Sequence, residues 1–323
     1  MSRMLPILDD AAVLALLGEV DVPAALRDMF AGLHAGAAVQ PPQSLTLFPN
    51  DAGDFITYAG VLAGEGTFGV KVSPYIVAQP RPVITAWTLL MSTETGEPLM
   101  LCDARRLTTE RTAATTALAV DLIADASARD LTIVGTGDVA EAHLRRVLPL
   151  RDWRSIRVTS EAVAAKTASA LSRFTGLDPR VAIVSGVEAA ARDADVILLC
   201  TSSAGPVLDP RTLTRPAVIT SISTNAPRAH EIPPEVLASL DVYCDYRATA
   251  PLSAGEMVIA QHGLGWSPEA IVGDLPELVA GAAGPRDPTR HAFFRSIGLG
   301  LEDIALATVI YRAATRQAQE AQA

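Results

Sequence analysis

The chain has 323 residues and a mass of 33.9 kDa, with 49% apolar and 19% charged residues, which excludes wholesale disorder and leaves room for about two domains. A net charge of −10 and a pI near 5.0 exclude a non-specific binder of nucleic-acid backbone, which needs a basic stripe. No apolar run reaches the roughly 18 residues that span a bilayer, Met1–Asp10 lacks a basic stretch followed by an apolar core, and Cys102, Cys200 and Cys244 show no metal or disulfide spacing; a cytoplasmic protein with no metal and no nucleic-acid or membrane partner is expected.

Asp9–Leu17 reads as a short apolar helix ending near Gly18. Asp21 caps a second helix, with Pro23 in its first turn and Gly36 beyond its end. Leu26, Met29, Phe30 and Leu33 recur at helical spacing and are expected in the core. From Gln40 the pattern changes to strands: Ser44–Phe48, Phe55–Leu62, Phe68–Val77, Val83–Ser92 and Glu97–Cys102, separated by turn clusters such as Asn50–Asp54, Gly64–Gly66 and Thr93–Gly96. That is a meander, and it predicts a largely antiparallel sheet. Arg105–Ala124, rich in Ala, Thr and Leu and free of Gly and Pro, reads as a long helix leading out of this region.

A second pattern begins at Leu131. Strands Leu131–Val134, Ile156–Val158, Val181–Val184, Val196–Cys200, Ala217–Ser223 and Val242–Cys244 are interspersed with helices Val139–Val147, Ala162–Phe174 and Val187–Arg192. This order predicts a doubly wound parallel sheet of Rossmann type. Gly281–Pro288 reads as a loop, and Leu301–Arg316 as an apolar-faced helix able to pack back on the first region. The fold class is therefore α/β, with an additional α+β domain built on the antiparallel sheet.

Gly135-Thr136-Gly137-Asp138-Val139-Ala140 follows a strand and opens a helix, in the form G-x-G-x-x-A. Gly135 permits the tight turn, Gly137 lets backbone approach a pyrophosphate, and Ala140 allows close helix–strand packing. The helix start, with the amides of Asp138 and Val139, supplies donors and the positive end of the dipole. A bound NAD or NADP is expected. The choice between them falls to the end of the second strand, where an acid would bond the ribose 2′-hydroxyl. Ser160 stands at that place with Glu161 beside it; no arginine stands in the tip, and Lys166 lies well into the helix. The choice stays open.

Of 26 basic residues only Lys71 and Lys166 are lysine. Lys71 lies on a strand between Val70 and Val72 and points opposite to both. One reading is a solvated outer-face lysine. The other is a partly desolvated ammonium that contacts a substrate carboxylate and moves a proton, its pKa lowered toward the working range. Arg111, near the start of the long helix, is either a surface residue or a guanidinium that grips a carboxylate in bidentate fashion. Gln43, Tyr75 and Trp87 are further candidates for the pocket wall, although Trp87, inside an apolar strand, also reads as sheet core.

Taken together, Gly69-Val-Lys71, Leu107-Thr-Thr-Glu-Arg-Thr-Ala-Ala114, the glycine turn, Asp195-Val with Thr201-Ser202, Asp274-Leu-Pro-Glu-Leu278 and Phe294-Arg-Ser-Ile-Gly298 followed by Glu302-Asp303 occur in an order that resembles the ornithine cyclodeaminase/mu-crystallin family. The resemblance covers nearly the whole chain. It implies a substrate-binding and dimerisation domain from residues 1–125 with 299–323, a NAD(P)-binding Rossmann domain from 126–298, and a homodimer. By the same resemblance, Lys71 and Arg111 match carboxylate-binding and proton-handling positions. Thr112, Thr201 and Ser202 match positions near the nicotinamide and phosphates, and Ser296 comes to the cofactor with its motif.

Two positions depart from the cyclodeaminase pattern. Gln43 stands where cyclodeaminases carry an arginine for the substrate carboxylate. Asn225 stands at their catalytic aspartate, and an amide is no carboxylate base at neutral pH. A reductase needs only a carboxylate clamp, a proton donor and an aligned hydride donor. The expected activity is therefore NAD(P)H-dependent reduction of small α-imino acids, or the reverse oxidation of amino acids. The alternatives are an ornithine- or lysine-type cyclodeaminase and a non-catalytic protein of mu-crystallin type that binds cofactor and ligand.

Overall fold

The computed structural model describes residues 5–161, 163, 166–223 and 228–321. The chain divides into two compact units, Met1–Arg111 with Leu299–Ala323 and Thr112–Gly298.

The first unit runs β1 (Ile7–Leu8), α1 (Asp10–Leu17), α2 (Val22–His34), β2 (Ala38–Val39), β3 (Ser44–Leu47), β4 (Gly53–Leu62), β5 (Thr67–Ile76), β6 (Val83–Ile84), β7 (Trp87–Ser92) and β8 (Pro98–Asp103). Asp9 and Asp21 cap the two helices by accepting from the amides of Ala12 and Ala24. The sheet order is β1-β8-β7-β5-β4-β2, with β3 on β4 and β6 on β5. All pairs are antiparallel except β1 with β8. The expected strand Val83–Ser92 is two strands: β6 pairs with Tyr75–Ile76 and β7 with Thr67–Val72. Trp87 is 38% exposed, so its expected place in the core is corrected: it opposes Val72, on the face away from Lys71. The two-residue strands β1 and β2 are too short to leave a periodic signal.

Helix α3 (Arg105–Ile123) begins in the first unit and passes into the second at Thr112. There follow β9 (Asp130–Val134), α4 (Asp138–Val147), β10 (Ser155–Thr159), α5 (Ala168–Thr175), β11 (Val181–Ile183), α6 (Val187–Ala191), β12 (Val196–Leu199), β13 (Val218–Ser221), β14 (Asp241–Cys244), α7 (Ala250–Ser253), α8 (Gly255–Gly263), β15 (Ile271–Asp274), α9 (Leu275–Ala280) and β16 (Ala292–Arg295). The eight strands are parallel in the order β11-β10-β9-β12-β13-β16-β14-β15. Most are buried along their whole length, as a sheet covered on both faces requires. The order reverses between β9 and β12, which makes the carboxyl ends of those two strands the switch point where such sheets bind ligands. The expected helix Ala162–Phe174 is shorter, since α5 starts at Ala168; Ala162, Ala164 and Ala165 lie outside the described residues. Strands β15 and β16 are not read from the sequence pattern.

The chain then returns to the first unit as α10 (Gly300–Glu320), which lies on one face of its sheet. The approach is close enough to require glycine. A Cβ on Gly69 would stand 2.2 Å from the Leu89 carbonyl oxygen and 2.9 Å from Ile304 Cδ1.

Candidate active site

In the first unit, the middle of β5 carries Lys71 into the α10 face of the sheet, opposite Tyr58 on β4 and Thr88 on β7. Its side chain is 1% exposed. The ammonium stands 2.9 Å from Asp303 Oδ2, donates to Thr108 Oγ1 at 3.3 Å, and lies 4.2 Å over the Tyr58 ring. Arg111, buried on α3, donates from Nη1 to Glu302 Oε2 at 2.9 Å, and its Nε lies 3.3 Å from Asp303 Oδ1. Glu302 and Asp303 sit in the first turn of α10, where the helix dipole favours acids. Asp303 thus bridges both cations, and two positive and two negative groups are locked together out of water.

Burial draws the Lys71 ammonium down to about 8, assisted by the nearby Arg111 charge and opposed by Asp303. Burial also works against the charge on Arg111, but Asp303 and Glu302 outweigh it and hold the guanidinium above its ordinary value. Four charges buried for stability alone are a poor choice, because desolvation offsets most of their attraction. A lysine brought close to neutrality is what proton transfer to substrate needs.

Gln43 precedes β3 by one residue, next to the Ser44–Thr57 pair, and among the described residues its buried Oε1 has no hydrogen-bond partner. Tyr75 does not join the cluster. It lies four residues along β5 on the same face and is 41% exposed. Asn225 lies outside the described residues. Sequence reasoning gave Glu302 and Asp303 no role; their signal is a pair of acids at the start of an otherwise apolar-faced helix.

In the second unit, Gly135 directly follows β9 with φ +139°, and a Cβ there would stand 2.3 Å from the carbonyl oxygen of Cys200, which directly follows β12. This contact puts the glycine turn at the switch point. Among the described residues nothing lies within 4 Å of the place a Cβ on Gly137 would take, and no side chain caps α4. An open cradle above uncapped helix amides fits the pyrophosphate of a dinucleotide. Ala140 is fully buried under the turn, Val139 is half-buried and Asp138 is exposed. Thr136 and Ser160 bring their hydroxyls to 3.5 Å of each other. Arg173, on α5, donates to the Thr136 carbonyl oxygen at 2.5 Å and pairs with Asp138. An arginine thus reaches the turn from a helix, where sequence reading found none in the tip.

Thr201 donates from its amide and hydroxyl to Glu231 Oε1, at 2.8 and 2.7 Å. Glu231 Oε2 accepts from the Ser221 hydroxyl and the Ser223 amide, at 2.7 and 2.9 Å. This buried carboxylate ties the loops after β12 and β13 together, and sequence reasoning missed it. Ser202 is exposed, and Thr112 is half-buried at the start of the unit on α3. Ser296 is buried, and its hydroxyl donates to Asp245 Oδ2 at 3.1 Å.

The sequence profile of the ornithine cyclodeaminase/mu-crystallin family matches residues 8–318. The chain belongs to that family. It is 57% identical over 313 residues to the NAD(P)H-dependent anabolic L-arginine dehydrogenase DauB of Pseudomonas aeruginosa, covering 97% of this chain and 98% of that one. It is 24% identical over 290 residues to a Δ1-pyrroline-2-carboxylate reductase of Bacillus cereus, covering 88% of each. Among solved structures, a probable ornithine cyclodeaminase from Bordetella pertussis superposes with a TM-score of 0.87 at 26% identity, over 97% of this chain and 98% of that one. The fold of Thermococcus litoralis Δ1-pyrroline-2-carboxylate reductase, solved with NADH and L-proline, matches with a TM-score of 0.87 at 22% identity over 98% of each chain. Family membership carries the Rossmann fold of the second unit. Among the described residues no helix is long and apolar enough to cross a membrane.

Proposed function

We propose that this chain is an NAD(P)H-dependent amino-acid dehydrogenase that interconverts an α-imino acid and its α-amino acid, and that its substrate is L-arginine. The observation that carries the chemistry is the buried Lys71, held near 8 beside Arg111. The substrate class follows from the 57% identity to an L-arginine dehydrogenase over almost the full length of both chains.

The residues divide the work. Arg111 and Gln43 hold and orient the substrate carboxylate. Lys71, protonated, donates to the imine nitrogen as that nitrogen becomes an amine; neutral, it accepts that proton in the reverse direction. Asp303 and Glu302 fix both cations in place. Gly135, Thr136, Gly137, Asp138, Val139 and Ala140 cradle the dinucleotide phosphates, with Ser160 at the adenosine ribose, Thr201 and Ser202 beside the phosphates, Thr112 near the nicotinamide, and Ser296 lining the cofactor crevice behind Asp245. When bound, the nicotinamide supplies or accepts hydride at the α-carbon. Asn225 replaces the acid that ring-closing deamination requires, which favours simple reduction and oxidation. The enzyme works in the cytoplasm as a homodimer.

The test offers NADH and NADPH with the 2-oxo acid of arginine and ammonia, and L-arginine with the oxidised cofactors. Cofactor oxidation that depends on both oxo acid and ammonia is the expected result. Silence here, with turnover of a cyclic imine or proline formation from ornithine, would overturn the reading.

A further inference from the structure

Resting on arginine as substrate, the geometry points to Asp54 as the residue that recognises the guanidinium, with Tyr75 stacked beside it. The α10 face of the first sheet is laid out in rows across its strands. The first row is Tyr58, Lys71 and Thr88, with Gln43 one residue before the paired stretch of β3; the second is Leu45, Ile56 and Ser73; the third is Leu47, Asp54, Tyr75 and Ile84. All point to one side because alternate residues of a strand share a face and the β4–β5 register runs without a bulge from Gly53 to Leu62.

The rows change chemistry in the order an arginine does. The first holds the buried Lys71 ammonium. The second is mainly aliphatic. The third offers a carboxylate directly opposite a phenol ring, which is the pairing a guanidinium takes by bidentate hydrogen bonds and by stacking. Spacing agrees. First and third rows are four residues apart, about 13 Å at the ordinary rise of a strand. An extended arginine spans about 8 Å from carboxylate carbon to guanidinium carbon at normal bond lengths. A hydrogen bond of about 2.9 Å at each end brings the total to about 14 Å.

The strip also opens as it leaves the cluster. Helix α10 starts level with the first row, with Gly300 against Ala59, and runs away from the other two. Lys71 is 1% exposed, Ser73 half-exposed and Tyr75 41% exposed. The Asp54 side chain is half-buried, and among the described residues it makes no hydrogen bond or ion pair of its own. It is an acid placed at the mouth of the strip with its oxygens uncommitted.

The experiment compares L-arginine with L-citrulline, a neutral side chain of the same shape, in the wild type, Asp54→Asn and Tyr75→Leu, with melting temperature and NADPH affinity followed in each. The expected result is a wild-type preference for arginine in kcat/KM that falls about 10- to 100-fold in Asp54→Asn, the loss of one charge-assisted contact, and by less in Tyr75→Leu. Equal losses on both substrates in Asp54→Asn would make Asp54 structural, and an unaltered preference would place the guanidinium elsewhere; either overturns this assignment alone. A wild type that turns over another amino acid and ignores arginine would overturn the substrate reading, and Asp54 with it.

Discussion

At the scale of single residues, the site turns on one proton. Imine reduction uses Lys71 in its charged form, so kcat/KM for reduction is expected to be level at low pH and to fall as pH rises through about 8, where the buried ammonium releases its proton. Oxidation needs the neutral amine and should rise through the same value. Both profiles are read from initial rates over a pH series; a reductive profile flat to pH values well above 8 would remove Lys71 from the proton step. Lys71→Met should abolish turnover and leave NADPH fluorescence titration unaltered, because the glycine turn belongs to the other unit. Lys71 and Arg111 were legible as candidates, a rare lysine on a strand and an arginine at a helix start. Their partners were not, because Glu302 lies 191 residues from Arg111 and only the fold brings them together.

At the scale of elements, the strand–turn–helix of β9 and α4 shows what a local motif specifies. Its form, G-x-G-x-x-A, was readable because the three small residues each answer a backbone need within a few positions. The two glycines differ physically, and a pair of variants separates them. Gly135→Ala puts a Cβ 2.3 Å from the Cys200 carbonyl oxygen at a φ of +139°, so it should lower stability by roughly 1–3 kcal/mol and weaken cofactor binding with it. Gly137→Ala meets open space at a φ of −90°, so the melting temperature should hold within about a degree or two. Its methyl would fill the cradle, and loss of an amide–phosphate contact should raise the Kd for NADPH about tenfold or more. If Gly137→Ala binds cofactor like the wild type, the cradle is not the phosphate site. The reach of Arg173 to Thr136 was invisible at this scale, since it depends on where α5 begins, and Ala168 is later than the sequence pattern suggested.

At the scale of the whole molecule, the two ends of the chain build one unit around a sheet with unequal faces. The meander and an apolar-faced last helix are readable in the sequence, but not which face the helix covers, because the aliphatic and Phe side chains of β5, Phe68, Val70 and Val72, lie on the face away from it. The structure separates the two faces. The α10 face includes the buried Ile56, Tyr58, Leu90 and Met100, whereas Phe68, Val70, Val72, Leu89 and Leu101 on the other face stay half-exposed and Trp87 is exposed. A contiguous apolar face of this kind, with strand neighbours on either side, calls for a partner, and in the proposed homodimer a second copy of the chain would supply a matching one about a two-fold axis. Sedimentation should therefore give twice the 33.9 kDa chain mass. Val72→Asp, at the centre of that face, would bury a charge against its symmetry mate and should shift the protein toward single chains. Its side chain points away from Lys71, so the shift should come without a change in the pH at which residual reduction fails. A wild type that sediments as a single chain at micromolar concentration would leave the face without its partner and overturn the dimer.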